Sequence, residues 1–502
     1  MLLVICSICV FVFILHHFWT YRELYKLSWI MPGPLWVPFI GNAYSIIGRT
    51  HEGLLDLLNY LATSYPMPLR RYWFGPNKLY ILITKPEDIQ TVLNAPECLN
   101  RDGVYKYVST LAGNGLVCLP ADTWKEHRKY LNPTFSLKIL QSYMQIFNKE
   151  TNTLTDRLKQ YTGKPAFDIY ELMDACTLDI VCQTTMGTEM NIQKNQNVNY
   201  LKAANNLLSI MTTRIFNPLM HLDTLFRLTK WYNIEKKSME IVFGFVDKIL
   251  QRKKAEYHLI QKKLKEVEKD ENVSMKTPLI YIDQLLKLSM EGGIFRDEDV
   301  INEANTIIST GFESSALITS YCVLMLAMHP DIQAKVYEEI GAVISDPNDI
   351  KYDELGNLKY TERVIKETMR LFPTVPAIAR VANAPFQLRE YTIPAKTHFA
   401  IGIVTLHRDK TVWGPKAEEF DPDHFLPEKF EKIHPYAYVP FSAGPRNCIG
   451  IKYAYMLMKV LVVHLVSSYK FTTDLRLCDL KHRVDITLKL SNKHMVSIEA
   501  RT

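Results

Sequence analysis

The sequence predicts a mainly α-helical protein with small β-sheets behind an N-terminal membrane anchor helix. Three observations carry this. Asp297 to His329 is one long apolar-periodic segment stopped by Pro330; at about 1.5 Å per residue it spans roughly 50 Å, enough to cross a whole domain. Strand-like runs are few: Leu79–Thr84, Thr397–Val404 and alternating pieces near 484–499. Leu2 to Phe18 is apolar except for Ser7, His16 and His17. Composition sets the outer limits. A chain of 502 residues, 47% hydrophobic and 22% charged, is neither disordered nor a small disulfide scaffold. The net charge of +6 is mild. It suits an anionic membrane surface or an acidic partner, and is too weak to point to nucleic acid. The nine cysteines are scattered without a zinc-type double pair, so most are read as reduced thiols.

Residues 1–21 form the expected transmembrane anchor. The apolar run sits at the short end of the roughly 17–25 residues that span a bilayer. Trp19 and Tyr21 suit the interface, and Arg22 and Lys26 follow it, which puts the rest of the chain in the cytoplasm. A cleaved signal peptide is the alternative, but a basic leader and a small-x-small cleavage site are missing. Residues 22–45 carry Pro32, Gly33, Pro34, Pro38 and Gly41 and are expected to be a stiff, extended linker. Residues 46–502 are expected to make up the folded domain. Asp122 is a candidate cap for a helix through Trp124–Tyr130. Further helices are expected over 138–161, 166–186, 199–214 and 233–270, the last polar on every side in its second half. Asn272-Val273-Ser274 spells a glycosylation sequon, expected to stay unmodified on a cytoplasmic face.

The strongest signal is Phe441-Ser442-Ala443-Gly444-Pro445-Arg446-Asn447-Cys448-Ile449-Gly450. Gly444 and Pro445 shape a tight turn. Cys448 is placed at the start of an apolar helix, Ile449 to Val466, whose free N–H groups lower a thiol's pKa. Gly450 removes a side chain where something bulky approaches, and Arg446 supplies a nearby cation. Such a cysteine can be a nucleophile, a ligand to iron, or a buried inert thiol. The complete pattern F-x-x-G-x-R-x-C-x-G resembles the haem-binding loop of the cytochrome P450 superfamily. The resemblance implies the P450 fold, Cys448 as the axial iron ligand, and Phe441, Gly444, Arg446 and Gly450 in the haem-binding loop. A thiolate ligand favours O–O cleavage.

Other landmarks follow the same family. Glu367-Thr368-Met369-Arg370 matches E-x-x-R; alone, an i,i+3 ion pair is common on any helix. Pro422-Asp423-His424-Phe425 stands where the family has P-E-R-F, so His424 replaces an Arg in the network with Glu367 and Arg370. Trp124 and Arg128 share a helix face and match W-x-x-x-R. With Arg380 and Arg446 they are the implied haem-propionate contacts, for which the planar fork of Arg is suited; a plain surface charge is the alternative for each Arg. Glu313 and Ser314 resemble the acid–alcohol pair that relays protons for oxygen activation, with Ser in place of Thr. The bland alternative is a Ser bonded back to its own helix and a Glu held in an ion pair. Mid-helix Gly311 costs about 1 kcal/mol and is tolerable where a ligand needs the room.

Within the superfamily the chain resembles the family-4 clan, including its insect members, through Gly115-Leu116, Pro133-Thr134-Phe135, Thr185-Met186-Gly187 with Asn191, and Glu303-x-x-Thr306. Thr310 replaces the Glu that esterifies haem in many clan members, so haem b is expected to be non-covalent. The resemblance implies a microsomal monooxygenase in the endoplasmic reticulum membrane, acting with O2 on an apolar lipid, hormone or xenobiotic. NADPH–cytochrome P450 reductase supplies electrons, with cytochrome b5 an optional second donor; no G-x-G-x-x-G fingerprint is present here. Lys125, Lys129 and Lys452 mark a basic face for that reductase or a generic solvated surface. The alternatives are a haem-thiolate isomerase or dehydratase, and a non-catalytic haem sensor. Substrate contacts are expected near 105–120, 200–225, the front of the long helix and Val375–Ala379.

Overall fold

The computed structural model describes residues 1–64, 67–267 and 279–501. The apolar run becomes a helix, Leu2–Thr20, with no buried residue. Among the described residues, two other helices are long and apolar enough to cross a membrane, Asp297–Met328 and Ile451–Ser468, but their apolar windows are 83% and 67% buried. Those two turn their apolar surface to the core. Leu2–Thr20 alone among the three leaves it free for lipid.

The segment after the anchor departs from an extended spacer. Arg22–Ile30 is helical and buries Leu24, Tyr25, Leu27 and Ser28. The Trp73 indole N–H donates to Ser28 Oγ at 2.8 Å, and Tyr25 stacks on that ring at 4.9 Å. Further on, Arg71 N–H donates to the Pro32 carbonyl at 2.8 Å and Asn42 N–H to the Trp73 carbonyl at 2.6 Å. The prolines shape a segment laid along Leu69–Trp73. Leu24, Leu27 and Met31 stand at helical spacing, a weak signal that the neighbouring prolines override in the sequence reading.

The largest core is helical. Asp297–Met328 lies against Ile169–Met186 and Ile451–Ser468. Gly311 is a point of close approach, since a Cβ there would come within 3.1 Å of Val181. Its room serves helix packing, a reason the sequence does not disclose. The expected 138–161 helix is broken into Leu137–Ser142 and Met144–Leu158, while Ile169–Met186 and Val198–Phe216 form as expected. Lys230–Val267 is one long helix; residues 268–278, with Asn272 and its sequon, lie outside the described residues.

A five-stranded sheet runs in the order Leu69–Trp73, Leu79–Ile83, His398–Gly402, Ala377–Val381, Asn100–Arg101. Its last pairing is antiparallel and sets Arg101 directly opposite Arg380. A separate hairpin, His482–Asp485 with Thr487–Leu490, supplies Thr487 and Lys489.

Candidate active site

A cavity of about 540 Å³ lies between the long helix and the cysteine loop. Its walls include Tyr105, Val108, Leu208, Met211, Thr306, Thr310, Ser314 and Val375–Ala379, within the four stretches expected from sequence. Leu54, Leu57 and Leu61 on the helix His51–Thr63, and Val484 and Ile486 on the hairpin, also line it; nothing local in the sequence marks them.

The cysteine loop is closed by its own backbone: Cys448 N–H donates to the Phe441 carbonyl at 3.0 Å. Ser442 and Gly444 take left-handed φ of 59° and 69°, and a side chain at Gly444 would collide with the Leu93 carbonyl. The helix begins at Ile451 with Gly450 as its N-cap, so Cys448 precedes it. Its thiol is exposed to the cavity, which itself lies inside the fold. Burial pushes its pKa up, against the Gly450 N–H at 3.3 Å and the Arg128 cation. The depressed pKa expected from a helix terminus is therefore not what the protein alone provides. Gly450 borders the sulfur itself, its Cβ position lying 3.8 Å from Sγ.

Arg128 binds back to the loop, giving Nη1–H to the Asn447 carbonyl at 2.9 Å and Nη2–H to Asn447 Oδ1 at 3.2 Å. Its helix is Ala121–Leu131, capped at Pro120 without a side chain, so Asp122 lies in the first turn and is not the cap. The Arg446 guanidinium sits 4.4 Å over the Trp124 ring and donates to the Leu119 carbonyl at 2.8 Å. Its Nε and Nη1 have no partner. Arg380 donates to the Ala379 carbonyl at 3.0 Å, and its Nη2 has none. Sequence reasoning missed Arg101, which lines the cavity, donates to Tyr105 Oη at 3.1 Å and leaves Nε orphaned. Only the tertiary pairing with Arg380 reveals it. Burial first, then repulsion from Arg101, pulls Arg380 and Arg446 down to about 9. Like charges directly opposite in a sheet are destabilising. Orphaned guanidinium nitrogens with no carboxylate among their described partners fit an anionic group such as the propionates of haem.

On the long helix, Glu313 and Ser314 both line the cavity but do not pair with each other. Glu313 Oε1 lies 2.6 Å from Lys489 Nζ and accepts from Thr487 Oγ1 at 3.1 Å. Ser314 donates to the Thr310 carbonyl at 2.6 Å. The acid–alcohol relay is thus unmade in this structure, each member having its own partner. Thr310 donates to the Thr306 carbonyl at 2.7 Å.

Glu367 and Arg370 are fully buried and meet twice at 2.7 Å. Arg370 also donates to the carbonyls of His407, Ala417 and Glu419. His424 Nδ1 reaches Glu367 Oε1 at 3.1 Å, so the substituted histidine joins the network. The clan pieces acquire a reason too. Thr306 donates to the Ala112 carbonyl at 2.6 Å, and Leu116 N–H to Glu303 at 3.1 Å. A side chain at Gly115 would collide with both Thr306 and Glu303.

Comparison with known proteins identifies the family. The family model for cytochrome P450 matches residues 31–495. Cytochrome P450 4c21 of Blattella germanica is 32% identical over 496 residues, covering 99% of this chain and 98% of the relative. Probable cytochrome P450 313b1 of Drosophila melanogaster is 32% identical, covering 97% of each chain. Cytochrome P450 4c3 of Drosophila melanogaster is 31% identical over 94% of this chain and 89% of its own. The chain belongs to the cytochrome P450 family, as a haem-thiolate monooxygenase similar to insect family-4 members.

Proposed function

We propose that this chain is a membrane-anchored monooxygenase of the endoplasmic reticulum that inserts one atom of O2 into an uncharged apolar substrate: a lipid, hormone or xenobiotic. The single observation that carries the reading is the polarity of the cavity. The charged residues lining it are Arg101, Arg128 and Arg446 near the thiol and Glu313, already held by Lys489; the remaining walls are dominated by aliphatic and aromatic side chains. A substrate carboxylate finds no spare cation away from the cysteine loop among the described residues.

Haem b, when bound, supplies the reductive activation of dioxygen. Cys448 would ligate its iron, with the Gly450 N–H steadying the sulfur. Trp124, Arg101, Arg128, Arg380 and Arg446 hold the propionates, with Phe441 and Gly444 shaping the loop. Haem is non-covalent because Thr310 offers no carboxylate to esterify. Ser314 and Glu313 move protons into the cavity: a serine whose hydrogen is given to Thr310 still has lone pairs to accept from water. Residues 1–21 anchor the chain, 22–45 join it to the domain, and 46–502 face the cytoplasm. The exposed Lys125, Lys129 and Lys452 meet NADPH–cytochrome P450 reductase, with cytochrome b5 as a second donor.

The reduced, carbon monoxide-bound protein is expected to show the red-shifted Soret band of thiolate-ligated haem, lost in Cys448→Ala. NADPH-dependent oxygen consumption then separates the monooxygenase from a haem-thiolate isomerase or dehydratase. A thiolate band that survives in Cys448→Ala sinks the ligand assignment.

A further inference from the structure

Two histidines, His16 and His17, interrupt the C-terminal end of an otherwise apolar anchor, where an unsatisfied polar group is costly. The fold treats them differently. His16 is exposed and has no hydrogen-bond partner among the described residues. His17 turns to the folded domain: its Nε2 lies 3.1 Å from the Pro76 carbonyl oxygen and 3.2 Å from Tyr25 Oη. Tyr25 donates to the same carbonyl at 3.0 Å. A carbonyl only accepts, and the Tyr25 hydrogen is already given to it, so the His17 Nε2 that faces both oxygens carries its own hydrogen. Pro76 belongs to the turn between the strands Leu69–Trp73 and Leu79–Ile83.

Aromatic rings close round this contact. Phe18 meets Tyr25 at 5.0 Å, His17 lies 4.8 Å from Tyr21, and Trp36 lies 5.8 Å from both Tyr25 and Trp73. The backbone runs on through the joint. Tyr21 N–H donates to the His17 carbonyl and Tyr25 N–H to the Tyr21 carbonyl, both at 3.1 Å, so Tyr21 bends the helix without freeing its two halves. Further along, Arg71 Nε–H and Nη1–H donate to the carbonyls of Met31 and Pro34 at 3.0 and 2.9 Å. A side chain at Gly33 would collide with the Arg71 carbonyl. From His17 to Pro34 the chain is bound at successive points to one strand and its turn. A flexible linker would leave the orientation of the domain free; this one has no free stretch in which to turn.

We propose that the His17–Tyr25–Pro76 contact makes the anchor and the folded domain one rigid unit, which fixes the tilt of the domain on the bilayer and seats the turn Gly75–Lys78 in the headgroup layer. The inference rests on the anchor reading above and is independent of the reaction. Depth follows from length. At about 1.5 Å per residue, His17 lies roughly 5 Å from the end of the helix Leu2–Thr20, whose 19 residues match the hydrocarbon core. A carbonyl bonded to its ring is held at that same level. The side chains around it suit the place. Arg22, Lys26 and Lys396 are exposed, Lys78 is half-buried, and the Lys396 ammonium lies 5.9 Å from the Tyr21 ring. Lysine, arginine and aromatic residues are the ones favoured beside headgroup phosphates. Hydrogen bonds shielded from bulk water are also stronger than in solution. Phe74, two residues before Pro76, lines the cavity, so the joint also sets how that end of the cavity stands to the membrane.

The test uses the full, haem-loaded chain in oriented phospholipid bilayers, where polarised absorption of the haem band reads the tilt of the domain. His17→Leu removes both hydrogen bonds and keeps the span apolar. Tyr25→Phe removes the hydroxyl and keeps the ring on Trp73. His16→Leu changes the neighbouring histidine that has no partner. The carbon monoxide spectrum checks that each variant is folded round its haem, and resistance to alkaline carbonate checks that it still spans the bilayer. Wild type is expected to show strong haem dichroism. His17→Leu is expected to lose it several-fold, Tyr25→Phe to lose part of it, and His16→Leu to keep it. Full dichroism in both His17→Leu and Tyr25→Phe, in chains that resist carbonate, overturns the proposal. Should His17→Leu lose its carbon monoxide band, Tyr25→Phe decides by the same measure. A wild-type chain that carbonate washes from the bilayer overturns the anchor reading, and the proposal with it.

Discussion

Arg370 and Arg380 are both fully buried arginines, and the protein treats them in opposite ways. Arg370 gives every N–H to a named acceptor: two bonds to Glu367 and one each to the carbonyls of His407, Ala417 and Glu419. Arg380 has a single backbone acceptor, an orphaned Nη2, and Arg101 across the sheet as its neighbour. Arg446 repeats the pattern with Nε and Nη1 unpaired. Burying a charge is tolerated when it is paired and hydrogen-bonded. The Arg370 site is therefore complete as protein. The Arg380–Arg446–Arg101 group instead leaves donors open that an anion brought from outside can fill.

The sharpest way to break the comparison is Arg370→Met. It leaves Glu367 buried with only His424 and the Asp421 N–H. Removing one partner of a buried pair costs about 3–5 kcal/mol, a large share of the roughly 5–15 kcal/mol that holds a domain together. Thermal or urea unfolding of the haem-free chain should show this loss. A variant as stable as wild type would mean the network is dispensable to folding.

Arg446→Met and Arg380→Met should behave in the reverse sense. In the haem-free chain each removes an unpaired cation, so stability should hold or rise. Haem retention should fall, since a hydrogen bond to a charged group contributes about 1.5–3 kcal/mol. Transfer of haem to an apo-globin acceptor, timed beside unfolding of the haem-free chain, measures both. Haem-free destabilisation as large as that of Arg370→Met would erase the distinction.

What the sequence disclosed follows the same division. Cys448, Arg446, Glu367 and Arg370 sit in short contiguous motifs, and a motif is legible because its spacing is fixed along the chain. Arg101 and Lys489 were silent because their partners are distant. Arg101 meets Arg380 through a strand of only two residues, and Lys489 meets Glu313 across the fold. The long helix and the anchor were legible from periodicity and length. The helix Arg22–Ile30 was masked by the prolines that follow it. Its own polar positions, Arg22, Glu23 and Lys26, dilute the apolar stripe that packs on Trp73. The upward push on the thiol's pKa is hidden for a related reason: a helix N-terminus is visible in sequence, whereas an interior cavity around the sulfur is a property of the closed fold.

The smallest effect is expected at the long helix, where the protein's own groups already have partners. Ser314→Ala removes a hydroxyl that faces the cavity and donates to the Thr310 carbonyl. Loss of a solvent-facing bond back to its own helix should leave stability nearly unchanged. If the hydroxyl organises water for proton delivery, product per NADPH should fall and peroxide should rise while substrate binding stays the same. General-acid contributions reach about 10²–10⁴-fold; water can stand in for a missing hydroxyl, so the low end or less is expected here. Ser314→Thr keeps the hydroxyl and should couple at least as well as wild type. The measurement is NADPH consumed, peroxide released and product formed for all three proteins. Equal coupling in Ser314→Ala would reduce Ser314 to a helix hydroxyl, and leave proton delivery to Glu313 and ordered water alone.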